Sequence, residues 1–125
     1  PFLKMLQKYP EYEQEVKVPE KVWPLRIWYM YEQDVCTLID VNEQEQKVKI
    51  RNYTDKVMFR AFGTVEDPDY NDYQEFLKSR CFPESRDKMK LILKDLGLPF
   101  YDPIMIIEKT EGRMAEDDFW IRIER

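Results

Sequence analysis

Apolar and polar positions alternate with period two along several stretches of this chain, and that alternation predicts strands. Leu25-Arg26-Ile27-Trp28-Tyr29-Met30-Tyr31 is rich in aromatic and β-branched residues. Such residues suit a pleated, half-buried surface. Glu32, Gln33 and Asp34 make a polar break, after which Val35, Thr37, Ile39 and Val41 are expected on one face of a second strand. Asn42-Glu43-Gln44-Glu45-Gln46 reads as the next hairpin loop. Lys47-Val48-Lys49-Ile50-Arg51 follows, with Val48 and Ile50 inward and the three cations outward. Near the end, Phe119, Ile121 and Ile123 alternate with Trp120, Arg122 and Glu124, a strand whose natural place is beside the meander.

Between these strands the period changes to that of helices. Thr54 is expected to cap a short helix that runs to Phe62 and closes at Gly63. Asp67-Pro68 carries a start signal: Asp caps, and Pro occupies the first helical position, where its missing N–H costs nothing. The helix it predicts, residues 68–80, puts Tyr70, Tyr73, Phe76 and Leu77 on one side. Ser85 is expected to cap a third helix, with Met89, Ile92, Leu93 and Leu96 on one face and Gly97 ending it. Asp102-Pro103 repeats the start signal ahead of Ile104, Met105, Ile106 and Ile107. The order β-β-β-α-α-α-α-β predicts an α+β fold: an antiparallel β-meander plus a C-terminal strand, with about four helices packed on one face. Residues 25–125 are expected to form one domain. Residues 1–24, punctuated by Pro10, Pro19 and Pro24, are expected to form an N-terminal arm. Gly63 and Gly97 lie 34 positions apart, and the two Asp-Pro pairs 35 apart, a hint of duplication set against simple reuse of capping chemistry.

Composition narrows the chemistry. The 125 residues include no histidine and three glycines, which removes the usual proton shuttle and any glycine-rich phosphate cradle. A net charge of −5 disfavours general affinity for nucleic acid or anionic membranes. Cys36 and Cys81 belong to no C-x-x-C pair, so reduced structural thiols in a cytoplasmic protein are expected. No apolar run approaches the ~18 residues of a membrane span. The chain opens on Pro1 rather than Met, which points to a trimmed or partial chain. No cofactor, metal or catalytic residue is expected.

Two surfaces are candidates for binding. Strand parity puts Arg26, Trp28, Lys47, Lys49, Arg51, Trp120 and Arg122 on one sheet face if the registers agree, a basic and aromatic surface. It suits an acidic protein segment or a single nucleic-acid strand, or else is a solvated face on which Arg stacks on Trp. The acidic sets Glu66, Asp67, Asp69, Asp72 and Glu75, and Glu116, Asp117 and Asp118, are the second candidate. They either serve helix N-termini or mimic nucleic-acid phosphates in a partner's basic groove. Arg80 and Arg86 flank a rigid Phe82-Pro83 turn between helices. They are expected to pin it through Asp87 or helix-end carbonyls, or to read an anion. Asp40 with Glu45 and Lys47 is a nuclease-like fragment for Mg²⁺.

The C-terminal half resembles short accessory proteins from mobile elements of Gram-positive bacteria. The resemblance rests on Arg80-Cys81-Phe82-Pro83 with Arg86-Asp87, Leu96-Gly97-Leu98, Tyr101-Asp102-Pro103, Thr110-x-Gly112 and Asp118-Phe119-Trp120-Ile121-Arg122. It implies a small regulator or inhibitor and supplies no catalytic residues. The expected function is therefore a non-enzymatic protein-interaction factor, in its sharp form an inhibitor of a nuclease like the anti-CRISPR proteins. The alternatives are a nucleic-acid-binding regulator using the basic face and a Mg²⁺-dependent nuclease.

Overall fold

A computed structural model describes residues 17–125, so the first part of the expected arm lies outside the described residues. The elements are β1 (Leu25–Tyr31), β2 (Asp34–Asn42), β3 (Lys47–Asn52), a 3-10 turn (Val57–Phe59), α1 (Tyr70–Ser79), α2 (Met89–Leu96), α3 (Pro103–Thr110) and β4 (Phe119–Glu124). The strands form one sheet in the order β3-β2-β1-β4, antiparallel throughout. The α+β class and the joining of the C-terminal strand to the meander are as expected. The helix count is three rather than about four. The segment after Thr54 makes only the 3-10 turn, with Thr54 Oγ1 accepting from the Lys56 amide at 3.2 Å.

Local chemistry accounts for the boundaries. The β1–β2 turn needs only Glu32 and Gln33, with Glu32 in the left-handed region at φ 53°. Asn42 Oδ1 accepts from the Glu45 amide at 3.0 Å and shapes the loop into β3. Helix α1 starts later than Asp67-Pro68 predicts. Its N-cap is Asp69, which accepts from the Asp72 amide at 2.8 Å while Asp72 accepts from the Asp69 amide at 3.0 Å. This reciprocal box satisfies two orphan donors and outcompetes the upstream Asp. Helix α2 likewise starts at Met89 behind Lys88 in the left-handed region, not at Ser85, and has no side-chain cap. Helix α3 follows its signal: Asp102 Oδ1 accepts from the Ile104 amide at 3.1 Å and Pro103 opens the helix. The two Asp-Pro pairs therefore do different jobs, and the repeat does not extend to capping.

The inner sheet face carries the core. Leu25, Ile27, Tyr29, Ile39, Val41 and Ile121 pack with Tyr73, Phe76 and Leu77 of α1 and Ile106 and Ile107 of α3. A bulge corrects the expected parity of β2. Tyr29 faces Thr37 but Met30 faces Val35, so Cys36 is the extra residue. Cys36 joins the inner core while Val35 pairs with the outer-face Met30. Thr37, fully buried, donates to Asn52 Oδ1 at 2.9 Å and accepts the Ala61 amide at 3.0 Å, tying the segment after β3 to the sheet.

Arg80, at the C-cap of α1, closes the fold. It is 7% exposed, and its side chain donates to the carbonyls of Gly112 at 3.0 Å and Phe119 at 3.1 Å. It also makes a two-pronged pair with Asp117 at 3.0 and 3.1 Å. The guanidinium lies near the rings of Tyr29 and Phe119, which stack on each other at 4.8 Å. Asp117 rather than Asp87 is thus its carboxylate partner, while the Gly112 carbonyl just past α3 is of the helix-end kind also expected. Gly112 suits a position where an L side chain would be strained, because its φ is +62° and a Cβ would crowd Ile121 Cδ1 at 3.1 Å.

Replacing Arg80 by Met should strand Asp117 and two carbonyls. The expected loss, read by urea unfolding, is about 1–3 kcal/mol, because the exposed Asp117 regains water and the penalty falls on the carbonyls left unbonded. The hydrogen bonds from Arg80 hold the Asp117 carboxyl below its ordinary pKa. A depressed native value supplies stability above the unfolded pKa and loses it as pH falls through the native one. The stability gap between the wild type and Asp117→Asn should therefore be steady near neutrality and shrink below about pH 4.

Candidate interaction surface

The strand registers assemble the outer face in transverse rows. In one row Lys49 faces Asp40, Asp40 faces Arg26 and Arg26 faces Glu124, so charge alternates across all four strands. Opposite charges directly across a ladder stabilise it. In the next row Arg51, Leu38, Trp28 and Arg122 stand side by side. Beyond them Met30 faces Trp120. The expected basic and aromatic residues therefore do share one face, with carboxylates between them.

The centre of this face is closed. Arg26 is 3% exposed and pairs with Asp40 through two bonds of 2.7 and 3.1 Å. That bond, more than any other influence, raises the Arg26 pKa and keeps the cation charged. Leu38 is also buried. The expected role of Arg26 as an exposed contact is corrected: it is the internal tie of the row.

Around that centre each of the three tryptophans carries a cation. Arg122 lies 4.5 Å from the Trp28 ring centre, Arg113 lies 5.0 Å from that of Trp120, and Lys49 lies 4.9 Å from that of Trp23. The indole N–H groups of Trp28 and Trp120 donate to Glu124 Oε1 at 2.9 Å and the Glu32 carbonyl at 2.7 Å. Those bonds fix the rings, which remain half-buried. Tyr53 Oη donates to the Lys17 carbonyl at 3.0 Å, so residues 17–24 reach the β3 side. Lys47 and Arg51 stay exposed, with Lys47 3.3 Å from Glu45. The rim thus presents cations and ring edges around a neutralised middle.

The acidic sets separate in role. Asp69 and Asp72 form the α1 cap, Glu75 pairs with Lys78 at 3.5 Å, and Asp117 holds Arg80. Glu66, Asp67, Glu116 and Asp118 are exposed. Asp118 lies with Glu32, Gln33, Arg113 and Trp120 along a shallow cleft of about 510 Å³. Arg86 does not join Arg80: it is exposed and sits 5.8 Å from the Phe82 ring centre.

The nuclease-like fragment does not assemble, because Asp40 is bound by Arg26 while Glu45 and Lys47 pair at the loop. Among the described residues no group of three or more His, Cys, Asp or Glu side chains converges. Both cysteines are buried free thiols. Burial pushes the Cys36 thiol up to about 11 and the Cys81 thiol up to about 12, overriding the opposing field of Arg80 on Cys81. Neither is an activated nucleophile.

Arg113 and Trp23 were absent from the sequence expectation. They come from irregular segments, where strand parity gives no signal. Compared with family models, curated proteins and solved structures, the chain matches none. No helix among the described residues is long and apolar enough to cross a membrane.

The two kinds of charge contact should differ sharply in worth. Asp40→Leu removes both acceptors of the buried Arg26 side chain, an expected loss of about 3–5 kcal/mol. Arg113→Gln removes an exposed stack on Trp120 and an exposed pair with Glu111, together worth about 1 kcal/mol. Urea unfolding of the two variants in one buffer measures the contrast. Equal losses would contradict the closed centre and open rim.

Proposed function

We propose that the protein is a non-enzymatic interaction factor that engages a protein partner through the rim of the outer sheet face. The observation supporting this is the set of half-buried tryptophans, each with a basic side chain over it, two of which, Trp28 and Trp120, are fixed by their N–H bonds. Tryptophan and arginine dominate the energetic centres of protein interfaces. Rings held in place before binding lose little entropy when a partner arrives. The partner's contact is an extended acidic segment with apolar anchors, which meets Lys47, Lys49 and Arg51 with opposite charge.

In its sharp form the factor is a cytoplasmic inhibitor carried by a mobile element, acting on a nuclease. The net charge of −5 and the exposed Glu66, Asp67, Glu116 and Asp118 support that form, as substitutes for nucleic-acid phosphates. A nucleic-acid-binding regulator is the second reading, favoured by the row of Lys47, Lys49 and Arg51 beside aromatic rings. Asp40 and Glu124 in the same face weigh against a phosphate backbone.

Affinity capture from the source cell, repeated with Lys49→Glu/Arg51→Glu, tests these readings. A stoichiometric protein lost in the double variant is the expected result. Nucleic acid retained at low salt, released steeply as salt rises and lost in the variant would establish the regulator instead. A protein captured equally by both forms would move the contact off this face.

A further inference from the structure

The sheet has two outer edges, β4 and β3, and they end differently. On β4 the outward backbone groups are engaged. The Ile121 N–H donates to the Glu111 carbonyl at 2.7 Å, the Phe119 N–H donates to Asp117 Oδ1 at 3.0 Å, and the Phe119 carbonyl accepts from Arg80 at 3.1 Å. On β3 the Tyr53 N–H, just past the strand, donates to the Cys36 carbonyl of β2 at 2.9 Å. In an antiparallel ladder alternate residues turn their backbone groups to the same side. The register of β3 on β2 is unbroken, so Lys47, Lys49 and Arg51 also face β2 with their N–H and C=O groups. Those of Val48, Ile50 and Asn52 face away from it, and among the described residues nothing bonds them. Residues 17–24 reach this side through the Tyr53 hydroxyl and the Lys49 side chain, not through the edge backbone.

The side chains of β3 select what could pair there. Val48 and Ile50 are half-buried and pack on the core from one side, so an apolar neighbour would complete their burial. Lys47, Lys49 and Arg51 are exposed on the outer face. A second copy paired antiparallel about a two-fold axis would set these cations against one another. Like charges across a ladder destabilise it, and lysine on an edge strand guards against self-pairing. An acidic strand meets no such penalty.

On the reading of the outer rim as a surface for a protein partner, we propose that β3 accepts a fifth, antiparallel strand from that partner. The strand is an extended segment that alternates acidic and apolar residues. Its apolar residues lie opposite Val48 and Ile50 on the inner face and exchange backbone hydrogen bonds with them. Its acidic residues lie on the outer face against Lys47, Lys49 and Arg51. Main-chain bonds supply the affinity and the alternating side chains supply the selectivity.

The probe is a capped six-residue peptide, the length of β3, that alternates glutamate with valine. It is titrated into the 125-residue chain, with amide shifts and hydrogen exchange followed by NMR. Its relatives carry methyl groups on the valine nitrogens, methyl groups on the glutamate nitrogens, or lysine in place of glutamate. The parent should bind saturably and slow exchange at the amides of Val48, Ile50 and Asn52. Methylating the valines removes the donors that face β3, so affinity should fall about tenfold or more. The peptide methylated on its glutamates, whose N–H groups face away, should bind nearly as well as the parent. Equal binding of the two methylated peptides would overturn strand addition while leaving the acidic contact at the rim standing. Failure of both unmethylated and methylated acidic peptides to bind, or lysine serving as well as glutamate, would overturn that contact too. A dimer of the chain alone in sedimentation, with the same three amides already protected, would assign the edge to a second copy and overturn the proposal.

Discussion

The buried guanidinium of Arg80 is the contact on which the arrangement depends. One side chain from the end of α1 bonds Gly112, Asp117 and Phe119, three points on the segment that delivers β4 to the sheet. β4 reaches β1 only after the long helical excursion that follows β3, so its docking must overcome a large loop-closure entropy. A rigid fork with several donors suits this task better than a lysine point charge. The hydrogen bonds Glu32 N–H to the Asp118 carbonyl, 3.1 Å, and Ile121 N–H to the Glu111 carbonyl, 2.7 Å, then settle the register.

That register creates the outer face. Trp120, Arg122 and Glu124 all arrive on β4, and without them Trp28 would lose its stacked cation and its N–H acceptor. The inner anchor and the outer surface are therefore one structural problem. The ion pair of buried Arg80 with exposed Asp117, on the helical side, places the residues of the outer face. The Arg26–Asp40 pair performs a similar task within the meander. A cation paired inside a sheet has few alternative positions, so it specifies register even where its net contribution to stability is small.

Much of this was legible in the sequence. Period-two alternation placed all four strands, and parity put Trp28, Lys49 and Trp120 on a common face, because the pleat leaves few choices. Asp102-Pro103 and Gly97 marked their helix ends through local chemistry alone. The failures have physical causes. Asp67-Pro68 and Ser85 carry capping signals, yet Asp69 with Asp72 offered a reciprocal box and Lys88 took a left-handed turn. The β2 bulge was invisible because a single extra residue has no compositional mark in Val35-Cys36-Thr37. Arg80 was singled out, but its partner lies 37 positions away, beyond any local pattern.

Hydrogen exchange resolved by residue, comparing the wild type with Arg80→Gln, tests most directly whether this clamp holds the outer face together. If it does, the amides of Phe119–Glu124 lose protection far more than those that pair β2 with β3, and the meander survives the opening of β4. Protection lost equally across all four strands, or retained in β4, would contradict the account.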